Sequence, residues 1–356
     1  MIAAGNFSGR FTLGDQSVEP SGRGSSVWIA RMSATGLLRW LRVAPGAGDD
    51  RFVRGLVVAG DGRIVVDIVS ETAPRYTRVR VEPDGSKDSV ETLDLGGEVR
   101  AVAMQTDGNV VSGPLGSQTC RESSFQLHRL DARGKVAWSA CNEKDPEAES
   151  GGGEPHLEMD PNKGIAFCAT YRGHAPVWGS SKAPEPVAGT HAFIASFTTS
   201  GKHRWTHYVT GAQSSECDEL AISAGGEVAA LVEGMTPKMV IASWKANGET
   251  GWTRPCDELL PAGDSECTIT ALIAQENELV AAMQNGGRVG IARLDAKTGA
   301  TKESHAFEHG TKILTLAANA STIVFGTLLH AAADFGTGSL TPTKPDGDGD
   351  VLIGAL

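Results

Sequence analysis

Phe193-Ile194-Ala195-Ser196-Phe197 is followed by a turn at Ser200-Gly201 and, four residues after the glycine, by Trp205. The pattern returns as Ile241-Ala242-Ser243-Trp244, Asn247-Gly248 and Trp252. It is present near the start as Val27-Trp28-Ile29-Ala30-Arg31-Met32, Gly36 and Trp40, and again as Leu127-His128-Arg129-Leu130, Gly134 and Trp138. Arg78-Val79-Arg80-Val81 before Asp84-Gly85, and Ile291-Ala292-Arg293-Leu294 before Thr298-Gly299, keep the strand and turn without the tryptophan. Leu352-Ile353-Gly354-Ala355-Leu356 is a seventh copy. Successive turn glycines are 49, 49, 67, 47 and 51 residues apart, a period near 50 with one insertion. Self-similarity at that period marks a repeat architecture. The shared position of Trp40, Trp138, Trp205 and Trp252 reads as rings packed between neighbouring units.

A second hairpin lies between copies. Leu56-Val57-Val58-Ala59, Asp61-Gly62 and Ile64-Val65-Val66 form one; Leu220-Ala221-Ile222, Gly225-Gly226 and Val228-Ala229-Ala230-Leu231 form another. Short apolar runs joined by Asp-Gly or Gly-Gly read as tight hairpins. Each unit therefore holds four short strands, A to D. A four-stranded sheet of this size has two apolar faces, and stacking such sheets radially buries both. A solenoid needs a shorter period and an immunoglobulin-like array a longer one. The expected fold is all-β, one β-propeller domain over 1–356 with seven blades. The first blade lacks strand A and the last lacks strand D, as in a segment cut from a longer protein. The alternative is six blades, with Ile313–Leu316 completing the N-terminal one.

Gly5-Asn6-Phe7-Ser8-Gly9 through Phe11-Thr12-Leu13-Gly14 to Val27-Trp28-Ile29-Ala30-Arg31 resembles the bacterial SBBP-type propeller repeat. Trp178-Gly179 to His191-Ala192-Phe193-Ile194-Ala195 and Asp334-Phe335-Gly336 to Asp350-Val351-Leu352-Ile353 resemble it too. The middle units lack the long B–C hairpin. The resemblance implies a propeller of an extracellular or cell-surface protein and carries no catalytic residues.

Composition fits that picture. The 356 residues carry 44 Gly, 40% hydrophobic and 21% charged residues, and a net charge of −11. The acidic balance argues against nucleic acid as a partner, and the apolar share argues against disorder. Ile313 to Ala333 has no charged residue, yet Asn319, Ser321, Thr322, Gly326 and His330 interrupt it, and it fits a strand repeat better than a membrane span. No leader is visible in MIAAGNFSGRF. Asn6-Phe7-Ser8 and Asn319-Ala320-Ser321 are glycosylation sequons of a kind common by chance.

Six cysteines without metal-binding spacing read as disulfides, hence an oxidising compartment, or else as buried thiols. Of the 15 possible pairings, position favours Cys120–Cys141 and Cys256–Cys267, leaving Cys168–Cys217.

In this fold the A–B and C–D turns lie at one end of each blade and the B–C and D–A connections at the other. The first set is tight. The second includes long B–C connections (8–26, 172–191, 327–350) and acidic D–A connections (141–155, 255–266). Loops on a rigid scaffold carry function, so the expected ligand-binding residues are Trp178, Glu216, Asp218, Asp257 and Glu258. Trp178 also fits a packing role, because Leu13 and Phe335 hold its place in the sister units. Asp346, Asp348 and Asp350 alternate as in calcium loops but lack the later glutamate of an EF-hand; calcium is the one candidate cofactor. There is no nucleophile elbow, HExxH, P-loop or GxGxxG. Adjacent acids such as Asp218-Glu219 point to opposite faces of a regular strand, which weakens a joint acid–base role.

The expectation is a non-enzymatic, extracellular or surface-attached binding protein or scaffold that recognises a protein or glycan through its long-loop end. The alternatives are a lyase or hydrolase with acidic residues at the channel mouth, and a structural repeat segment of a larger surface protein. Fold alone does not choose among these.

Overall fold

Val- and Ile-rich runs broken by glycine turns give short antiparallel strands in up-and-down order (a computed structural model). The structure describes all residues except 22–23, 34, 45–50, 60, 71–74, 87, 95–98, 106–107, 114–119, 121–122, 132, 144–147, 152, 161, 180–181, 183, 185–186, 210–213, 235–238, 261–266, 287, 308–312, 319–321, 330–332, 335–338 and 341–349. The chain divides into two compact units, Met1–Lys144 and Asp145–Leu356.

The first unit holds three blades. Blade 1 is built from β1 (Ile2–Phe7), β4 (Ser26–Met32) and β5 (Leu38–Val43), and its B–C connection carries the ribbon β2 (Phe11–Leu13) and β3 (Gln16–Val18). Blade 2 is β6 (Arg51–Val58), β7 (Ile64–Ser70), β8 (Arg75–Val81) and β9 (Asp88–Asp94). Blade 3 is β10 (Ala101–Gln105), β11 (Gly108–Ser112), β12 (Gln126–Asp131) and β13 (Val136–Cys141).

The second unit holds four. In blade 4, β15 (His156–Asp160), β16 (Gly164–Gly173), β17 (Val187–Phe197) and β18 (His203–Tyr208) are joined by β14 (Ala148–Ser150), which pairs with the far end of β16. Blade 5 is β19 (Glu216–Ile222), β20 (Val228–Glu233), β21 (Met239–Trp244) and β22 (Thr250–Pro255), followed by the one-turn helix α1 (Cys256–Leu259). Blade 6 is β23 (Thr268–Gln275), β24 (Glu278–Asn285), β25 (Arg288–Asp295) and β26 (Thr301–Phe307). Blade 7 is β27 (Ile313–Ala318), β28 (Ile323–Leu329) and β31 (Asp350–Ala355), with the ribbon β29 (Ala333–Asp334) and β30 (Ser339–Leu340) in its B–C connection.

The fold is therefore that of a seven-bladed β-propeller, whose first and last blades have three strands among the described residues. Ile313–Ala318 pairs with Ile323–Leu329 inside blade 7, which removes the six-blade alternative.

Apolar side chains meet between successive blades. Val27, Ile29 and Trp40 of blade 1 pack with Ile64, Val66 and Val79 of blade 2. Ala166, Ile194 and Trp205 of blade 4 pack with Leu220, Ala230 and Trp244 of blade 5. Blades 5 and 6 share Leu231, Ile241, Leu272 and Ala281, and blades 6 and 7 share Val280, Ile291, Ile313 and Phe325.

The recurrent tryptophan has a defined task at these seams. The pairing of third and fourth strands slips beside Trp40, Trp138, Trp205 and Trp252. Trp40 donates its indole N–H to Pro83 O at 3.3 Å, Trp205 to Ala246 O at 3.2 Å, and Trp252 to Ala296 O at 2.9 Å. Each acceptor belongs to the C–D turn of the next blade. The turn glycine there has a positive φ, 88° at Gly248 and 69° at Gly299, and the ring leaves no room for a Cβ.

The seam between blades 2 and 3 is polar at one point. Asp67 on β7 accepts from the Tyr76 hydroxyl, from the Asn109 amide of blade 3, and from Arg78 Nε at 3.1 Å. All four side chains are buried. Burial pushes the Asp67 carboxyl up, and the Arg78 charge pulls the other way.

Candidate functional site

The two ends of the blades differ within each unit. C–D turns are closed by short backbone bonds, such as Gly85 N to Glu82 O at 2.9 Å and Gly248 N to Lys245 O at 2.8 Å. The opposite end carries the β2–β3 and β29–β30 ribbons, β14, α1 and the disulfides.

Cys120–Cys141, Cys168–Cys217 and Cys256–Cys267 are the three bridges, with Cα separations of 5.6, 6.2 and 5.6 Å: the two pairs that position favours and the one it leaves. Cys120–Cys141 ties the B–C connection of blade 3 to the end of β13; beside it Asn142 Oδ1 accepts from Phe125 N at 2.9 Å. Cys256–Cys267 closes the connection around α1. Cys168–Cys217 crosses from β16 of blade 4 to β19 of blade 5.

Of the expected ligand-binding residues, Trp178 is not at a surface. Trp178 is 1% exposed and packs edge-on against Phe167 and Phe197 in the core of blade 4, so it presents no stacking face to solvent. Glu216 is exposed at the start of β19, opposite Glu233. Asp257 and Glu258 lie on α1 rather than in an irregular loop; both are exposed, and Glu258 pairs with Arg254 Nη1 at 2.8 Å. Asp346 and Asp348 fall outside the described residues, as does the side chain of Asp350. Among the described residues no three His, Cys, Asp or Glu side chains are arranged to hold a metal.

Asp218 is different. The pairing of β19 with β20 slips between Cys217 and Glu219, making Asp218 the extra residue of a bulge and breaking strict alternation. Asp218 and Glu219 therefore act on one another electrostatically instead of being insulated by the sheet.

Next to this bulge is a pair of carboxylates that the repeat pattern does not announce. β15 and β19 are the first strands of blades 4 and 5 and neighbour one another. In His156-Leu157-Glu158-Met159-Asp160 the alternate residues Leu157 and Met159 are buried, which turns His156 and Glu158 to the other face. Asp160 closes the following turn by accepting from Asn162 N at 2.8 Å and Lys163 N at 2.9 Å. His156 Nδ1 stands 3.9 Å from Glu219 Oε2. Glu158 accepts from Met159 N at 3.2 Å.

Glu158 is exposed on β15, and desolvation by the surrounding protein pushes its carboxyl up to about 7, against the hydrogen bond from Met159 N. Glu219 is also pushed up to about 7, by burial first and then by the charges of Glu158 and Asp218. Burial lowers His156 below its ordinary value, against the pull of Glu154. His156 lies opposite Cys168 on β16, so the blade-crossing disulfide fixes the strands that bear both groups. Two carboxyls poised near neutrality can donate or accept a proton. The alternating polar residues of 156–160 were the only sequence signal for half of this pair.

No family model matches the chain, and no curated protein does. Solved structures are similar in fold. A protein from Lactobacillus plantarum superposes with a TM-score of 0.52 at 10% identity, covering 99% of this chain and 95% of that one. A Dos1 propeller gives 0.47 at 10% identity, covering 85% and 72%. Prolyl oligopeptidase B from Galerina marginata gives 0.48 at 9% identity, covering 93% of this chain and 52% of that one, so the chain spans about half its length. At such identities the likeness concerns fold alone. The class is that of the β-propellers.

Proposed function

We propose that this chain is a non-enzymatic binding or scaffold propeller of an oxidising, extracellular setting, recognising a protein or glycan through the end that carries the B–C and D–A connections. The observation behind this reading is the placement of the three disulfides and the extra ribbons at that end, opposite tight, plain turns. Covalent bracing of exposed connections lowers the ordering cost of binding through them. Disulfides persist in oxidising compartments. No helix among the described residues is long and apolar enough to cross a membrane. The test is a screen of the immobilised chain against glycan arrays and extracellular proteins. Glu216→Lys with Asp257→Lys should abolish the capture found, and Glu249→Gln in a plain turn should leave it intact. Equal sensitivity to both changes defeats the reading.

One observation favours a second reading, a hydrolase or lyase: the Glu158–Glu219 pair beside His156. It requires turnover of a small-molecule panel that Glu158→Gln removes while leaving the fold unchanged.

A further inference from the structure

Asn-Gly occurs twice in the chain, at 247–248 and at 285–286. In such a pair the glycine has no Cβ, so its backbone nitrogen can approach the side-chain amide of the asparagine before it. The two pairs stand in different surroundings. Asn285, at the end of β24, is 3% exposed, and its Nδ2 donates to Leu260 O at 3.2 Å. Asn247 is exposed in the C–D turn of blade 5, and its Oδ1 accepts from Glu249 N at 3.0 Å. That N–H polarises the amide carbonyl and is placed to stabilise negative charge developing on its oxygen.

The attacking atom, by contrast, is tied down. Gly248 N donates to Lys245 O at 2.8 Å. Blade 4 clamps the same turn from outside: Trp205 Nε1 donates to Ala246 O at 3.2 Å, His207 Nε2 donates to Gly248 O, and the Trp205 ring stands 2.7 Å from where a Gly248 Cβ would be. The glycine nitrogen is freed only when this seam opens. A sister turn shows what an aspartate does at this place. In Asp84-Gly85 of blade 2, Asp84 Oδ1 accepts from Ser86 N at 2.8 Å and Gly85 lies against the Trp40 ring. Aspartate therefore keeps both the turn and its tryptophan.

We propose that Asn247-Gly248 is a deamidation site gated by the seam between blades 4 and 5. On opening, the Gly248 nitrogen loses its proton and attacks Asn247 Cγ. The Cγ–Nδ2 bond breaks, ammonia leaves with that proton, and a five-membered cyclic imide remains. Water then opens the imide. Cleavage of the new Cγ–N bond gives aspartate, which matches blade 2 and leaves the clamp intact. Cleavage of the original peptide C–N bond gives isoaspartate, which adds a methylene to the main chain of the turn and draws its carbonyls away from Trp205 and His207. The result is an irreversible loosening of this one seam. The site lies among the plain turns and does not depend on recognition through the loop end.

The test holds the whole chain at pH 8 and follows positions 247 and 285 by peptide mapping that separates aspartate from isoaspartate. The reference is a synthetic peptide of residues 243–252, Ser-Trp-Lys-Ala-Asn-Gly-Glu-Thr-Gly-Trp. Conversion at Asn247 should be slower in the folded chain than in the peptide by about tenfold or more, because the rate follows the open fraction. It should still outpace Asn285, which reacts only after denaturation. Trp205→Phe removes the indole donor and should raise the rate at Asn247 about fivefold, with Asn285 unchanged. If that variant unfolds, Asn285 reports it by reacting, and His207→Ala, at a half-buried position, makes the same test. In hydrogen exchange the Gly248 amide should lose protection in the isoaspartate form and keep it in Asn247→Asp. Conversion at Asn247 no faster than at Asn285, a rate equal to that of the peptide, or a rate that neither clamp variant changes overturns the proposal.

Discussion

Trp252 of blade 5 donates its indole N–H to the carbonyl of Ala296 in the turn of blade 6 at 2.9 Å, while its ring stands 2.5 Å from where a Cβ on Gly299 would be. One motif thus explains two sequence signals, the turn glycine and the tryptophan four residues after the previous one.

Gly299→Ala should cost about 2–4 kcal/mol, because it adds a methyl against the ring at an unfavourable φ. Gly36→Ala has the same backbone sign but open space, and should cost only about 1–2 kcal/mol. Trp252→Phe, which keeps a ring and loses the donor, should cost about 1–2 kcal/mol. Denaturant unfolding of the three variants checks the order.

The two second-unit bridges should differ in worth. Cys168–Cys217 spans 49 residues and Cys256–Cys267 spans 11. Loop-closure entropy then gives about 4 kcal/mol for the first and about 3 for the second. Replacing each pair by alanine and measuring melting without reductant should rank them in that order.

Asp67→Ala should be among the most damaging changes in the first unit. It leaves Arg78, 2% exposed, without its carboxylate. Removing one partner of a buried pair costs about 3–5 kcal/mol. Asp67→Ala with Arg78→Met should recover part of the loss, a double-mutant cycle that urea denaturation can read.

Glu158 and Glu219 have folded-state values raised above those of the unfolded chain, so the folded state binds more protons. Their contribution is fully present below the ordinary carboxylate range and is lost as pH rises through about 7. His156, lowered by burial, works in the opposite sense as pH falls. Glu219→Gln should therefore shrink the gain in melting temperature between pH 8 and pH 5 relative to the parent chain. An unchanged gain would mean that the pair is not coupled to folding.

The blade architecture was legible because its determinants are local. The glycine and tryptophan positions, the short first and last blades and the pairs Cys120–Cys141 and Cys256–Cys267 follow from repeat phase, and Cys168–Cys217 follows as the remaining pair. The acid pair was not, because Glu158 and Glu219 lie on different blades and meet only when first strands pack, and because the bulge at Asp218 breaks the alternation a regular strand would impose. Trp178 was ambiguous for the same kind of reason. Its neighbours Phe167 and Phe197 come from strands on either side of the B–C connection, and only folding shows that they cover it.

The bond between Cys168 and Cys217 also sets how this molecule answers to force. A chain pulled from its two ends cannot pay out the 49 residues between those sulfurs, so about 160–175 Å of contour stays locked until a reductant is supplied. Under tension, Cys168 on β16 and Cys217 on β19 stay linked while the strands outside that loop, β15 and β20 to β22 among them, can be drawn out.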